Sequence, residues 1–167
     1  MARFPGSILL DNNAIGDAVD LKVWKGLLGA YLGQLETVTT VAEEAGSYFR
    51  KLPEMTELLT SLKRMTVHDV TREQRAALAV RLTGVALDQG ERDLWAHGIA
   101  RQDAWMLCGP DIASVRAAVL LGQKDRLVSL EELLEAAGFS TRGLPLNQTR
   151  KWLDQTRSRI VFEGPMP

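Results

Sequence analysis

Short apolar runs that stop at polar clusters, each followed by apolar residues at helical spacing, constrain this chain more than any other feature of its sequence. Ile8-Leu9-Leu10 halts at Asp11-Asn12-Asn13, which reads as a buried strand ending in a loop. Residues 17 to 32 then carry Val19, Trp24, Leu27, Leu28 and Tyr31 at roughly helical intervals, which predicts one helix. The β-branched Thr37-Val38-Thr39 suits a second strand, and residues 41 to 50 a helix capped by Thr39 or Thr40. Pro53 closes that helix, and Glu54 opens another with Met55, Leu58, Leu59 and Leu62 on its apolar side. Thr71-Arg72-Glu73-Gln74 has the form of a helix start, with apolar residues continuing to Leu87. Residues 89 to 99 form an amphipathic helix, 104 to 108 a strand, and Asp111 begins a helix that buries Ile112, Val115 and Ala118. Leu127-Val128 and the helix from Ser129, ended by Gly138, complete the series. Strands that alternate with helices imply a parallel sheet covered on both faces, because parallel pairing needs crossover connections. In such sheets the reactive end is the carboxyl end of the strands.

With 167 residues, 46% of them hydrophobic, the chain has enough apolar surface for one core, and one domain is expected. The formal net charge of −1 announces neither a nucleic-acid coat nor a membrane-surface protein, so any electrostatic site must come from local segregation. Ile8 to Leu10 is too short for a signal core or a membrane span, and the protein is expected to be soluble and cytoplasmic. Cys108, the lone cysteine, reads as a small buried hydrophobe. His68 and His97 lie far apart with no cysteine in zinc-binding spacing, and no glycine-rich phosphate loop is present. The four tryptophans read as core or interface anchors, Trp152 least securely because it lies in the tail.

That tail is locally basic. Arg142, Arg150, Lys151, Arg157 and Arg159 meet only Asp154 between residues 141 and 160, and the closing Gly164-Pro165-Met166-Pro167 reads as a loose end. Acids, by contrast, fall at the ends of successive strands. Asp11 follows the first, Glu43 and Glu44 the second, and Asp111 the strand at 104 to 108, while Glu91 and Asp93 open the helix before it. Each taken singly is explained by helix capping or the helix dipole. The set is harder to explain so, since crowded carboxylates repel unless a hard cation such as magnesium or manganese neutralises them.

Ser7-Ile8-Leu9-Leu10-Asp11-Asn12-Asn13 resembles the opening strand of PIN-domain nucleases, which ends in an aspartate followed two positions later by asparagine or a hydroxyl residue. Thr39-Thr40-Val41-Ala42-Glu43-Glu44 is similar to the second PIN signature and selects Glu44 over Glu43. Leu87-Asp88-Gln89-Gly90-Glu91-Arg92-Asp93 resembles the glycine-glutamate helix start of several subfamilies, and Cys108-Gly109-Pro110-Asp111 the final signature. Gly109 departs from it, standing where many members carry threonine or serine.

The resemblance implies an α/β, PIN-like three-layer fold with a central parallel sheet flanked by helices. It covers residues 7 to about 138, so the nuclease domain is expected at 1–138; the basic tail lies outside the resemblance, and 139–167 is expected to be a helical extension packed on the same domain. It further implies an Mg- or Mn-dependent ribonuclease cleaving single-stranded or loop RNA with metal-activated water. Asp11, Glu44, Glu91 and Asp111 would be its catalytic acids and, with Asp93, its metal ligands, with Asn13 supporting Asp11. Arg92, Arg116, Arg150, Lys151, Arg157 and Arg159 are the candidates for contacting RNA. Many small PIN proteins are toxins restrained by a small antitoxin protein, often as homodimers, and the same is expected here, with no membrane involvement. A catalytically silent PIN-like domain that binds RNA or protein is the alternative. A haloacid-dehalogenase-type phosphatase fits less well, because Asn13 stands where that family has its second aspartate.

Overall fold

The computed structural model describes residues 4–164; the tail Pro165 to Pro167, expected to be loose, lies outside the described residues. The chain runs β1 (Ser7–Leu10), α1 (Asn12–Asp20), α2 (Trp24–Ala30), β2 (Leu35–Val38), α3 (Thr39–Phe49), α4 (Met55–Leu62) and β3 (Thr66–His68). It continues through α5 (Arg72–Arg81), α6 (Gln89–Ile99), β4 (Trp105–Cys108), α7 (Ile112–Leu120), β5 (Leu127–Val128), α8 (Leu130–Ala136) and α9 (Arg150–Glu163). The five strands form one parallel sheet in the order β3-β2-β1-β4-β5. This is the expected α/β architecture, a central parallel sheet between layers of helices. Right-handed crossovers put α1 to α4 over one face and α6 and α7 over the other. The second layer is tied by Trp95, whose indole N–H donates to Ser114 Oγ across α6 and α7 at 2.9 Å.

Why the central strands pair as they do follows from their apolar character. Ile8, Leu9 and Leu10 are each fully buried, and β1 lies between β2 and β4 with Leu9 level with Glu36 and Leu107. Trp24, Trp95 and Trp105 are all in the core, and Trp152 is half-buried. Cys108 is buried, and that burial pushes its thiol well above its ordinary range. Leu153 and Ile160 of α9 join the same hydrophobic cluster as β1 and β4, so the basic helix packs on the sheet domain.

Several boundaries differ from the expected ones for identifiable reasons. The helix predicted over 17 to 32 is two helices, because Asp11 caps an earlier start and Lys22, at φ 61°, turns the chain out of α1. Thr39 belongs to α3 and not to the second strand. β3 goes unforeseen because it is an edge strand of three residues with an exposed Val67. The helix starting at Thr71 stops at Arg81, short of Leu87, and the chain then passes Gly84 at φ 79°; of its residues only Leu78 is buried. Ile112, expected to face inward, is exposed. Among the described residues no helix is long and apolar enough to cross a membrane.

Candidate functional site

The strand order reverses between β1 and β4, since the chain leaves β1 toward β2 and β3 and returns to the far side of β1 as β4. The crevice beyond the carboxyl ends at such a switch point is where open α/β sheets bind ligands. Asp11 and Asp111 flank it. The backbone N–H of Asp11 donates to the Cys108 carbonyl at 3.1 Å, carrying the β1–β4 pairing one residue further. One oxygen of Asp11 accepts from the Asn12 N–H at 2.6 Å, and Asp111 Oδ1 accepts from the Ser114 N–H at 2.8 Å. Both acids therefore serve as helix N-caps, as the simplest reading of each alone expects.

Gly109 makes the turn between β4 and Asp111 with φ 87°, and a Cβ added there would lie 2.7 Å from the Ala14 Cβ. A threonine or serine would clash with the first turn of α1 and strain the backbone, so glycine at this position follows from the local geometry.

Two further elements bring their acids to the same crevice. Glu44 sits on the second turn of α3, half-buried, whereas its neighbour Glu43 is exposed. Gly90 lets the start of α6 approach α3: a point one bond above its Cα lies 3.1 Å from Glu44 Oε1 and 3.5 Å from Asp88 Oδ1. Asp88 is the N-cap of α6. Its Oδ1 accepts from the Glu91 N–H at 2.8 Å, and Glu91 Oε2 accepts from the Asp88 N–H at 3.1 Å, a reciprocal capping box.

Asp88 is the member that the sequence reading passed over. The pattern Asp88-Gln89-Gly90-Glu91 carries the signal, an N-cap acid with glutamate three residues on.

The electrostatics of the group are those of unmatched charge. Asp11 is 5% exposed, and its carboxyl is pushed up to about 7, first by burial and then by Asp88, Asp111 and Glu44, against the pull of the Asn12 N–H. Glu91, 3% exposed, is pushed up to about 9 by burial and by the Asp111 carboxylate beside it. Its Oε1 is buried and meets no hydrogen-bond donor. The Asp111 carboxylate lies beside the Glu91 side chain, and the two can share a hydrogen bond only when one of them carries a proton. Glu44 is raised too, by burial and by Asp88.

Asp93 has a different setting. Its Oδ1 and Oδ2 accept from Arg75 Nε at 2.8 Å and Nη2 at 2.9 Å, and Thr40 and Gln89 also donate to it. Burial alone would raise its carboxyl, but Arg75 and Thr40 outweigh it and hold it below the usual range. It ties α5 and α3 to α6, and its oxygens are occupied.

The other expected residues are spread more widely. Asn13 is exposed on the first turn of α1, beside Asn12. Arg92 is exposed one position beyond Glu91 and donates to the Leu87 carbonyl at 3.3 Å; Arg116 is half-buried on α7. Arg150, at the start of α9, lies within 3.9 Å of Glu132 in the first turn of α8, with exposed Lys151 next to it. Arg157 instead donates to the Lys124 carbonyl, which precedes β5, and to Asp154. The helix thus carries Arg157 and Arg159 toward the amino edge, away from Asp11.

Asp11, Glu44, Asp88, Glu91 and Asp111 supply only carboxylate oxygens, the donor type preferred by magnesium and manganese, and the orphaned Glu91 Oε1 lacks the partner a cation would give it. The donors are near one another without converging: among the described residues no three His, Cys, Asp or Glu side chains are arranged to hold a metal ion. The chemistry fits a hard divalent cation, which would be held partly through water and by rotation of side chains. In comparisons with known proteins, the chain matches no family model, no curated protein and no solved structure.

Proposed function

We propose that this chain is a divalent-cation-dependent endoribonuclease of the PIN type. One observation carries the reading: the buried carboxylates of Asp11 and Glu91, with half-buried Glu44 and Asp111 and exposed Asp88 beside them, gather at the switch point of a parallel sheet, and among the described residues no basic side chain is paired with them. Magnesium or manganese would be held by Asp11, Asp111 and Glu91, with Glu44 and Asp88 beside them. When bound, it supplies an activated water and offsets charge on the scissile phosphate. The chain's own contribution is positioning. The Asn12 and Ser114 N–H groups fix the Asp11 and Asp111 carboxylates, and the capping box holds Glu91 by its Oε2 while Oε1 is left without a donor. Arg92, Arg150 and Lys151 supply positive charge at the rim for an RNA backbone. A small inhibitory protein partner and a homodimer belong to the same proposal.

A catalytically silent relative is the second reading, favoured by the lack of three converging ligands among the described residues. Incubating the purified chain with a mixed RNA pool, with Mg²⁺, with Mn²⁺ and with chelator, separates the two. The nuclease reading predicts metal-dependent cleavage that Asp11→Asn and Asp111→Asn each reduce by about 10³-fold or more. Cleavage that persists in chelator, or that neither variant lowers, rejects it, and binding without cleavage supports the silent reading.

A further inference from the structure

Between α5 and α6 lies a cavity of about 520 Å³, within the size range of small-molecule sites. Its apolar surface comes from Leu78, Leu82, Val85 and Leu87, and its polar groups include Arg75 and Arg92. Leu87 and Gln89, which also lines it, bracket Asp88, so the cavity opens one residue from the acid cluster. The wall formed by α5 is little covered by the rest of the chain: Leu78 is its buried residue, and Ala76 and Ala79 face the cavity while exposed. Asp93 grips the Nε and Nη2 edge of Arg75 and so fixes the plane of its guanidinium at the cavity wall, a group that can stack on a flat ring through its faces.

We propose that this cavity seats an unpaired nucleobase of the RNA strand, next to the phosphate that lies over Asp11 and Asp111. The inference rests on RNA being the substrate and adds how the strand is held. An aromatic base suits a cavity in which leucine and valine side chains stand beside guanidinium groups, because guanidinium planes stack on bases while pairing with the adjoining phosphates. The arrangement selects single strands, because a base within a duplex cannot leave its stack without cost. It also gives the Arg75–Asp93 pair a purpose, since that pair sets the wall of the cavity against α6.

The test is binding of a fluorescent, mixed-sequence RNA octamer in chelator, where no cleavage intervenes, read by anisotropy. Ala79→Trp fills the cavity from an exposed position, and Val80→Trp, 84% exposed and outside the lining, is the matched control. Ala79→Trp and Arg92→Ala are each expected to weaken binding about tenfold and Val80→Trp to leave it unchanged, with all three melting like the parent. A ribose-phosphate octamer without bases should bind the parent no better than it binds Ala79→Trp. Equal affinity of the two tryptophan variants, equal affinity for the base-free chain, or no RNA binding by the parent overturns the proposal. Cavity-dependent binding without cleavage in Mg²⁺ or Mn²⁺ would leave it standing while removing the nuclease reading.

Discussion

Two clusters of acidic residues, each with a buried carboxylate at its centre, lie at opposite places on the same domain, and their charges are handled in opposite ways. At the carboxyl edge, Asp11, Glu44, Asp88, Glu91 and Asp111 have, among the described residues, only backbone N–H groups and one another, and the resolved shifts are upward. Between β2 and the last turn of α6, Glu36 is as buried as Asp11, at 6% exposed. Burial pushes its carboxyl up, but the Ser7 hydroxyl, His68 and Arg101 outweigh that and hold it below the usual range. Arg101 also pairs with Asp103 and donates to Ser7 Oγ, and the rings of His68 and His97 stack at 4.2 Å. Burial pushes His97 down to about 4, with positive neighbours adding to the effect, so it is neutral at physiological pH. Matched charge of this kind closes a fold, whereas acids left unmatched at a ligand-binding edge are costly to keep and mark a place where something else is expected to bind.

Removing single members of each cluster tests the contrast most strongly. Asp11→Asn should abolish cleavage, by about 10³-fold in rate, while leaving the chain folded by circular dichroism. In the matched cluster, Arg101→Ala leaves Glu36 buried without its cation. It should destabilise the chain by about 2–3 kcal/mol in urea melts, less than the loss of a fully buried partner because Asp103 is exposed. If Arg101→Ala costs nothing, the distinction between the clusters fails.

A finer test uses pH in the absence of divalent cations. Asp11 and Glu91 have folded-state values above those of the unfolded chain, so the folded state binds more protons across the interval. Their contribution to stability is complete below about pH 4 and is lost as pH rises through about 7 for Asp11 and about 9 for Glu91. The parent should therefore melt lower at pH 8.5 than at pH 5. Asp11→Asn should gain relative to it by about 5 °C more at pH 8.5 than at pH 5. The smallest effect is expected at Glu43, exposed beside the cluster: Glu43→Gln should leave cleavage within about twofold, where Glu44→Gln lowers it at least tenfold.

Much of this arrangement was legible from residue order. Apolar runs such as Ile8 to Leu10 bury on both faces and so announce central parallel strands, and the acids after them fall at the reactive edge by topology alone. What stayed hidden depended on partners distant in the chain. Asp93 has the same spacing from Glu91 as a second ligand would, and only its contact with Arg75, on another helix, shows that it is occupied. Asp88 was concealed by its capping role, and Gly109 looks like a lost hydroxyl until its φ of 87° and its approach to Ala14 are seen. The basic tail divides because one helix spans both edges of the sheet, which composition does not show.

The account depends on the carboxyl-edge acids sharing one cation, and titration of the purified chain with Mn²⁺, followed by calorimetry at pH 7.5, measures that directly. The account predicts saturable binding by the parent that disappears in Asp11→Asn and weakens at least tenfold in Glu91→Gln, with Arg101→Ala unaffected. Failure of the parent to bind Mn²⁺, or binding that survives the loss of Asp11, would contradict it.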